Sequence, residues 1–138
     1  MYSFFNTLIF LSFRCEKFKS EHGSWRYAVV GYSTVYEYYA YPDKKRPRIA
    51  QFLVLPPFQR RGLGAQLLRS IYRYYQTSPS VVDITVEDPS DDFMLLRFYV
   101  DSCLCRKLDS FSPENLKKGF SKAMIEEAST KYKFNAVS

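Results

Sequence analysis

The stretch from Arg48 to Tyr75 restricts the possible folds more than any other part of the chain. It opens with RIAQFLVL, an apolar run that Pro56-Pro57 must stop, because proline cannot donate to a strand ladder. After the link PFQRRG, residues Leu63 to Tyr75 place Leu67, Leu68, Ile71, Tyr72 and Tyr75 at i, i+1, i+4, i+5 and i+8. That spacing is one face of a helix. A strand that passes through a glycine turn into a helix with one apolar face has to lay that helix back on its sheet. The fold class follows: an α/β (α+β) layer structure.

The rest of the chain extends this unit. Trp25 to Tyr41 is rich in Val, Tyr and Thr and reads as extended, with Gly31 inside it as a bulge or a close backbone approach. Tyr41-Pro42-Asp43-Lys44 is a turn, and Pro47 delays the return to central pairing until Arg48. Residues 25–41 and 48–55 then form an antiparallel pair joined by a basic loop. Residues 14–24, RCEKFKSEHGS, read as a polar loop. Thr77-Ser78-Pro79-Ser80 ends the first helix, and Val81 to Val86 is a short internal strand. Asp88-Pro89 matches an N-cap followed by Pro at the first helical position. A second helix is therefore expected from about Pro89 to about Cys103, with Phe93, Leu96, Tyr99 and Val100 inward. Ser112-Pro113 repeats the signal for a last helix through about Lys131, with Leu116, Phe120, Met124 and Ile125 inward. The order β-β-α-β-α-α makes a mixed sheet flanked by helices.

A chain of 138 residues has room for one such domain. With 46% hydrophobic and 25% charged residues the composition is globular. No apolar run reaches the roughly 18–20 residues of a membrane span. The opening MYSFFNTLIFLSF is apolar but lacks a basic leader and a small-residue cleavage site, so a buried strand or helix, or an atypical start, describes it better than a signal peptide. Cys15, Cys103, Cys105 and the single His22 form neither a disulfide framework nor a zinc set, and no metal is expected. Buried reduced thiols in an intracellular compartment fit them. The net charge of +6 is unevenly spread. Residues 44–73 hold eight basic residues and no acid, while 83–92 hold five acids and no base.

The basic stretch contains Gln59-Arg60-Arg61-Gly62-Leu63-Gly64-Ala65, between strand and helix. Two glycines let main-chain N–H groups approach an anion, and the starting helix adds unpaired donors and the positive end of its dipole. Strand, glycine turn and helix can thus cradle a phosphate. The P-loop pattern is absent, and the dinucleotide pattern lacks its third glycine, since Leu67 stands there. A lone G-x-G is also a simple turn. Lys44, Lys45, Arg46 and Arg48 make a solvated loop, or else meet a cofactor phosphate or nucleic acid.

In its wider context, Q-x-x-G-x-G-A before an amphipathic helix resembles the cofactor motif of the GNAT acetyltransferases. The stretches YPDK-x-RPR, PFQ-x-x-G-x-GAQLL and DIT-x-EDPS resemble more narrowly the type B histone acetyltransferase catalytic subunits, from about Glu16 to about Asn135. The resemblance implies a GNAT-like acyl-CoA N-acyltransferase fold with acetyl-CoA as co-substrate. It implies that Gln59, Arg60, Arg61, Gly62, Leu63, Gly64 and Ala65 hold the pyrophosphate. Phe52, Leu53 and Val54 would pair with the pantetheine arm, as an added strand does, and an amide of Leu53 or Val54 would face the developing oxyanion. Glu87 would be the general base with Asp88 beside it, and Tyr36, Glu37 and Tyr38 would touch a histone tail.

The same resemblance implies transfer to a lysine on the amino-terminal tail of newly synthesised histone H4, a WD-repeat histone chaperone subunit as partner, and residence in nucleus and cytoplasm. Neither a membrane nor direct nucleic-acid binding is expected. From the residues alone, Asp88 is chiefly a helix cap and most tyrosines are packing. The proteins of this family are longer. Residues 1–15 are therefore expected as an atypical apolar segment, 16–110 as the catalytic core and 111–138 as a helical segment. The sheet would lack its first strands and show an unpaired edge. The alternative is a catalytically inactive remnant that serves as a CoA-binding or chromatin-associated module.

Overall fold

A computed structural model describes residues 8–135, the first six of these through their main chain only. Four strands lie in the order β1 (Leu8–Lys19), β2 (Trp25–Ala40), β3 (Lys44–Val54), β4 (Thr85–Val86). The first three are antiparallel neighbours, and β4 runs parallel to β3. The helices are α1 (Leu63–Gln76), α2 (Asp91–Cys105), α3 (Pro113–Leu116) and α4 (Lys122–Tyr132).

The core forms where α1 and α2 cover one face of the sheet. Val35 of β2 and Ile49 of β3 pack with Leu67, Leu68, Ile71, Tyr72 and Tyr75 of α1 and with Phe93 and Val100 of α2. Every α1 position assigned inward from periodicity is at most 2% exposed. The segment between α1 and β4 contributes Val81 and Ile84 to the same cluster. The opposite sheet face leaves Trp25, Tyr27 and Val29 open.

Several elements differ from expectation. Residues 14–19 are strand, not loop: β1 pairs with β2 from Leu8↔Glu37 to Lys19↔Trp25, and only 20–24 turn. Residues 1–7 of the apolar opening lie outside the described residues, and the remainder of it pairs with β2 as part of β1, which is the edge strand of the sheet among the described residues. β3 begins at Lys44 and carries Pro47 inside the ladder opposite Glu37. Lys45 and Ile49 turn their main-chain groups toward the β4 side, where Lys45 N–H meets Ser80 O and Ile49 O accepts from Glu87 N–H. Pro47, of the same parity, turns its main chain to that side as well, away from β2, and its carbonyl accepts from Thr85 Oγ1 at 3.2 Å. The proline therefore removes no bond from the ladder with β2.

The expected internal strand at 81–86 is reduced to two isolated bridges, Val81↔Lys45 and Ile84↔Phe134, and the two residues of β4 at the end of the strand order. Asp88 does not cap α2. It has φ 40°, and Ser90 is the N-cap, its Oγ accepting from Phe93 N–H at 3.2 Å. The expected last helix is two. Ser112 caps α3 as read, but Gly119 at φ 98° breaks the run before α4. In consequence only Met124 of the four expected inward residues is buried. Leu116, Phe120 and Ile125 are 50%, 71% and 44% exposed.

Candidate functional site

Two local irregularities position the site. In β3 the register with β2 slips between Ile49 and Gln51, so Ala50 has no partner. Such a bulge bends the strand and resets which side chains face the core. Ile49 lies on the helix side before it, and Phe52 joins the same core after it. The parallel ladder with β4 ends at Ile49↔Val86, and beyond this point the two strands separate.

The second half of β3 therefore has an open edge. Leu55 N–H bonds Val30 O of β2 at 2.8 Å, and the Leu53 carbonyl faces Gly31 of β2. Alternation then turns the main-chain groups of Phe52 and Val54 outward. Val54 O confirms this, since it accepts from the Gln59 side chain at 2.8 Å. Of the two amides offered for an oxyanion, the one on the open edge is that of Val54.

The turn from Gln59 to Gly62 holds Arg60 at φ 61° and Gly62 at φ 76°. Gly62 is the N-cap of α1, with no side chain to satisfy the first turn. The first intrahelical bond is Gln66 N–H to Gly62 O. The N–H groups at the start of α1 are thus directed out of the helix, where an anion is favoured.

These parts share one groove of ≈ 520 Å³. Phe52, Leu53, Val54, Gln59, Arg60, Gly62, Leu63, Gly64 and Ala65 all line it. Its other wall is the start of α2, with Ser90, Asp92, Phe93, Leu95, Leu96 and Tyr99. A Cβ on Gly64 would stand 3.4 Å from Leu96 and 3.5 Å from Val54, so the missing side chain keeps the two walls apart. Phe52 and Phe93 meet edge to face, 5.1 Å between centroids.

A smaller cleft of ≈ 170 Å³ adjoins the groove and shares Phe52, Ser90 and Phe93 with it. Glu87 and Asp88 line this cleft, where β3 and β4 part. The Glu87 N–H bonded to Ile49 O at 2.9 Å fixes the backbone, and the carboxylate is exposed. An extended, amide-bearing chain with a phosphorylated end fits this arrangement: open strand edge, apolar walls and a helix start in sequence.

A family model described as "Acetyltransferase (GNAT) family" matches residues 10–100. The chain belongs to the GNAT acetyltransferase family. A second model, "Histone acetyltransferase type B catalytic subunit, C-terminal", matches residues 97–137. The GNAT chain is 51% identical over 120 residues to the human histone acetyltransferase type B catalytic subunit, covering 87% of this chain and 28% of that protein. A protein of the same description from Dictyostelium discoideum is 52% identical over 83 residues, covering 57% of this chain and 17% of its own length. The chain thus spans less than a third of the relatives it matches. Among solved structures, an aminoglycoside acetyltransferase crystallised with sisomicin aligns with a TM-score of 0.46 at 20% identity, over 68% of this chain and 55% of that one.

Two groups of expected site residues are placed elsewhere in this GNAT domain. Arg61 does not line the groove. Its guanidinium pairs with Glu16 of β1 at 2.9 Å, on the far side of the turn. Tyr36 and Tyr38 share a face, 6.3 Å between centroids, with the Arg48 guanidinium 5.1 Å from the Tyr38 ring. Glu37 points to the opposite face, where it pairs with Lys45 at 3.1 Å and borders Tyr75. The three therefore do not form one contact surface.

The basic stretch is dispersed as well. Lys45 is held by Glu37, Arg46 by Asp83 at 2.6 Å, Arg61 by Glu16, and Lys44 by the Pro79 carbonyl. What sequence reasoning missed is the α2 wall. DDFMLLRFYV is apolar at more positions than one buried stripe needs, and Leu95 and Tyr99, 67% and 58% exposed, are the surplus.

Proposed function

We propose that this chain is the acetyl-CoA-binding core of a histone lysine acetyltransferase of the type B kind, acting on the amino-terminal tail of histone H4. The observation that carries the reading is the groove that joins the open edge of β3, the unpaired N–H groups of α1 and, through the adjoining cleft, Glu87. The names of the relatives support the histone substrate class.

When bound, acetyl-CoA supplies an activated acetyl thioester. The residues that would hold it are Phe52 and Val54 along the arm and Gly62 to Ala65 at the phosphates. A lysine amine has a pKa near 10.4, so only about one in a thousand is neutral at pH 7.4. Glu87, at the strand end beside the cofactor edge, takes the amine proton directly or through water. The amine nitrogen then forms its bond to the acetyl carbon, the Val54 N–H faces the oxygen that gains charge, and the thiolate leaves. The exposed acids Glu87, Asp88, Asp91 and Asp92 give the cleft mouth the sign that attracts a cationic tail. A WD-repeat chaperone subunit and residence in nucleus and cytoplasm belong to the same proposal.

Calorimetric titration with acetyl-CoA tests the first half, with Gly62→Asp as the control that places a carboxylate on the phosphate turn. Mass spectrometry of a histone H4 tail peptide tests the second. Binding that survives Gly62→Asp would refute the assigned groove. Tight binding without an acetylated peptide at excess protein would make the chain a CoA-binding module instead.

A further inference from the structure

We propose that the outer face of α2 is a self-association surface, on which a second copy of this chain docks its own α2 antiparallel, about a two-fold axis between Phe98 and Tyr99. α2 is apolar on two opposite faces. Phe93 and Val100 are buried against the core. At about 100° per residue, Leu95, Phe98, Tyr99 and Ser102 fall within about 60° of one line on the other face. Leu95, Phe98 and Tyr99 are 67%, 50% and 58% exposed, Tyr99 although it was expected inward. A helix with two apolar faces carries more such surface than one core can cover. The patch continues beyond α2. Phe98 also lines a groove of ≈ 460 Å³ whose other walls include the exposed side chains of Leu116, Phe120 and Ile125. Contiguous exposed apolar surface of this kind marks an interaction site.

Charge selects a second copy as the occupant. The same line on α2 holds Asp91 and Asp92 in the first turn and Arg106 at the C-cap. All three are exposed, and none enters an ion pair among the described residues. Asp91 and Arg106 are equally far from the point between Phe98 and Tyr99, and so are Leu95 and Ser102. When a second α2 is laid across in the opposite direction, acid therefore meets base at both ends and the two rings meet in the middle. Each contact occurs twice, as a closed two-fold pair requires. A parallel arrangement would set acid on acid and base on base. A uniformly acidic or basic partner would match one end of the line and oppose the other.

The test is sedimentation equilibrium of the full chain without acetyl-CoA, because Leu95 and Tyr99 also line the cofactor groove. The wild type should form a dimer with a Kd on the order of 10–100 µM, as befits an interface at the small end of the specific range. Phe98→Lys places two like charges at the axis and should weaken the dimer at least about tenfold. Its circular dichroism melt should stay near that of the wild type, since the ring is half exposed. Arg106→Glu sets acid against acid twice and should weaken the dimer about tenfold. Adding Asp91→Lys and Asp92→Lys to Arg106→Glu restores opposite charges and should recover most of that loss, which a folding defect would not do. A wild type that stays monomeric at about 500 µM, well above the expected Kd, overturns the proposal. So does a dimer that Phe98→Lys leaves intact, or a charge swap that recovers nothing.

Discussion

Gly31 links the fold to the groove, and its replacement by alanine gives the sharpest test of how β3 is held. A Cβ at this position would overlap the Leu53 carbonyl oxygen and stand 3.1 Å from Val54 Cα. An ordinary carbon contact is about 3.5–4.0 Å, so β2 and β3 must part by about half an ångström or more. Both neighbours are backbone and cannot rotate away. Overpacking of this kind costs about 1–3 kcal/mol. For a domain of this length that is about 4 °C of Tm per kcal/mol, or about 4–12 °C in all. The displaced residues are those whose outer edge faces the groove, so acetyl-CoA affinity should fall several-fold as well. Two companion variants isolate the cause. Gly62→Ala meets nothing within 4 Å and bears only the strain of φ 76°, about 1 kcal/mol. Gly64→Ala gains helix propensity and touches Leu96 at 3.4 Å, so it should melt no lower than the wild type while narrowing the groove and weakening acetyl-CoA. Thermal unfolding by circular dichroism, beside calorimetric titration, reads both quantities. A Gly31→Ala protein melting within 2 °C of the wild type, or Gly64→Ala emerging as the least stable of the three, would refute the reasoning.

Glu87→Gln should lower kcat about 10²–10⁴-fold with little change in acetyl-CoA affinity, measured by peptide acetylation and titration, because the side chain lines the cleft and not the groove. Arg61→Ala should leave acetyl-CoA binding unchanged and shift stability by under about 1 kcal/mol, since its exposed partner is Glu16; a marked loss of binding would return Arg61 to the cofactor site. Tyr72 is 1% exposed, and burial, reinforced by the Asp101 carboxylate, holds its hydroxyl well above the ordinary tyrosine range. The folded state therefore keeps a proton that the unfolded chain releases near pH 10, and stability should fall above that pH by about 1.4 kcal/mol per unit. Burial raises the Tyr75 hydroxyl in the same way, so urea unfolding at pH 8 to 11 should show a fall in stability in the wild type that is smaller, but not absent, in Tyr72→Phe.

The parts legible in the sequence were those governed by a period or a strong punctuator. The helical spacing of Leu67 through Tyr75 located α1 and its buried face, and Ser112-Pro113 located a cap. Pro47 misled because its effect depends on which neighbour its nitrogen faces, and the parity of Lys45 and Ile49 turns it away from β2. Asp88 misled because two acceptors, Asp88 and Ser90, precede the helix. The one with extended φ −69° and ψ 159° is the cap, whereas Asp88 sits at φ 40°. Gly119 carries the break between α3 and α4: the sequence signal is a glycine inside the helical run, and φ 98° is the conformation it permits. Glu16–Arg61 was beyond local reading, for it joins residues 45 apart through the antiparallel return of β1.

The site itself depends on a misfit between neighbouring elements. If β3 ran without its bulge, residues 51 and 53 would follow Ile49 toward the helices, and the Phe52 ring would leave Phe93 and Gly64 for the opposite face. If β4 continued beside β3 past Val86, its main chain would occupy the edge on which Phe52 and Val54 now open. The unpaired Ala50 and the two-residue β4 are thus parts of one device. The bulge turns Phe52 inward to floor the groove, and the short strand leaves that groove a ladder position to fill. Glu87 is set at the mouth of the gap because it is the first residue after the ladder ends, still tied by its N–H to Ile49. Deleting Ala50 restores regular pairing without that flip, because Phe52 then stands two residues from Ile49 and keeps the helix face; the sheet should gain stability locally while acetyl-CoA binding is retained, and a lost groove would refute the register argument.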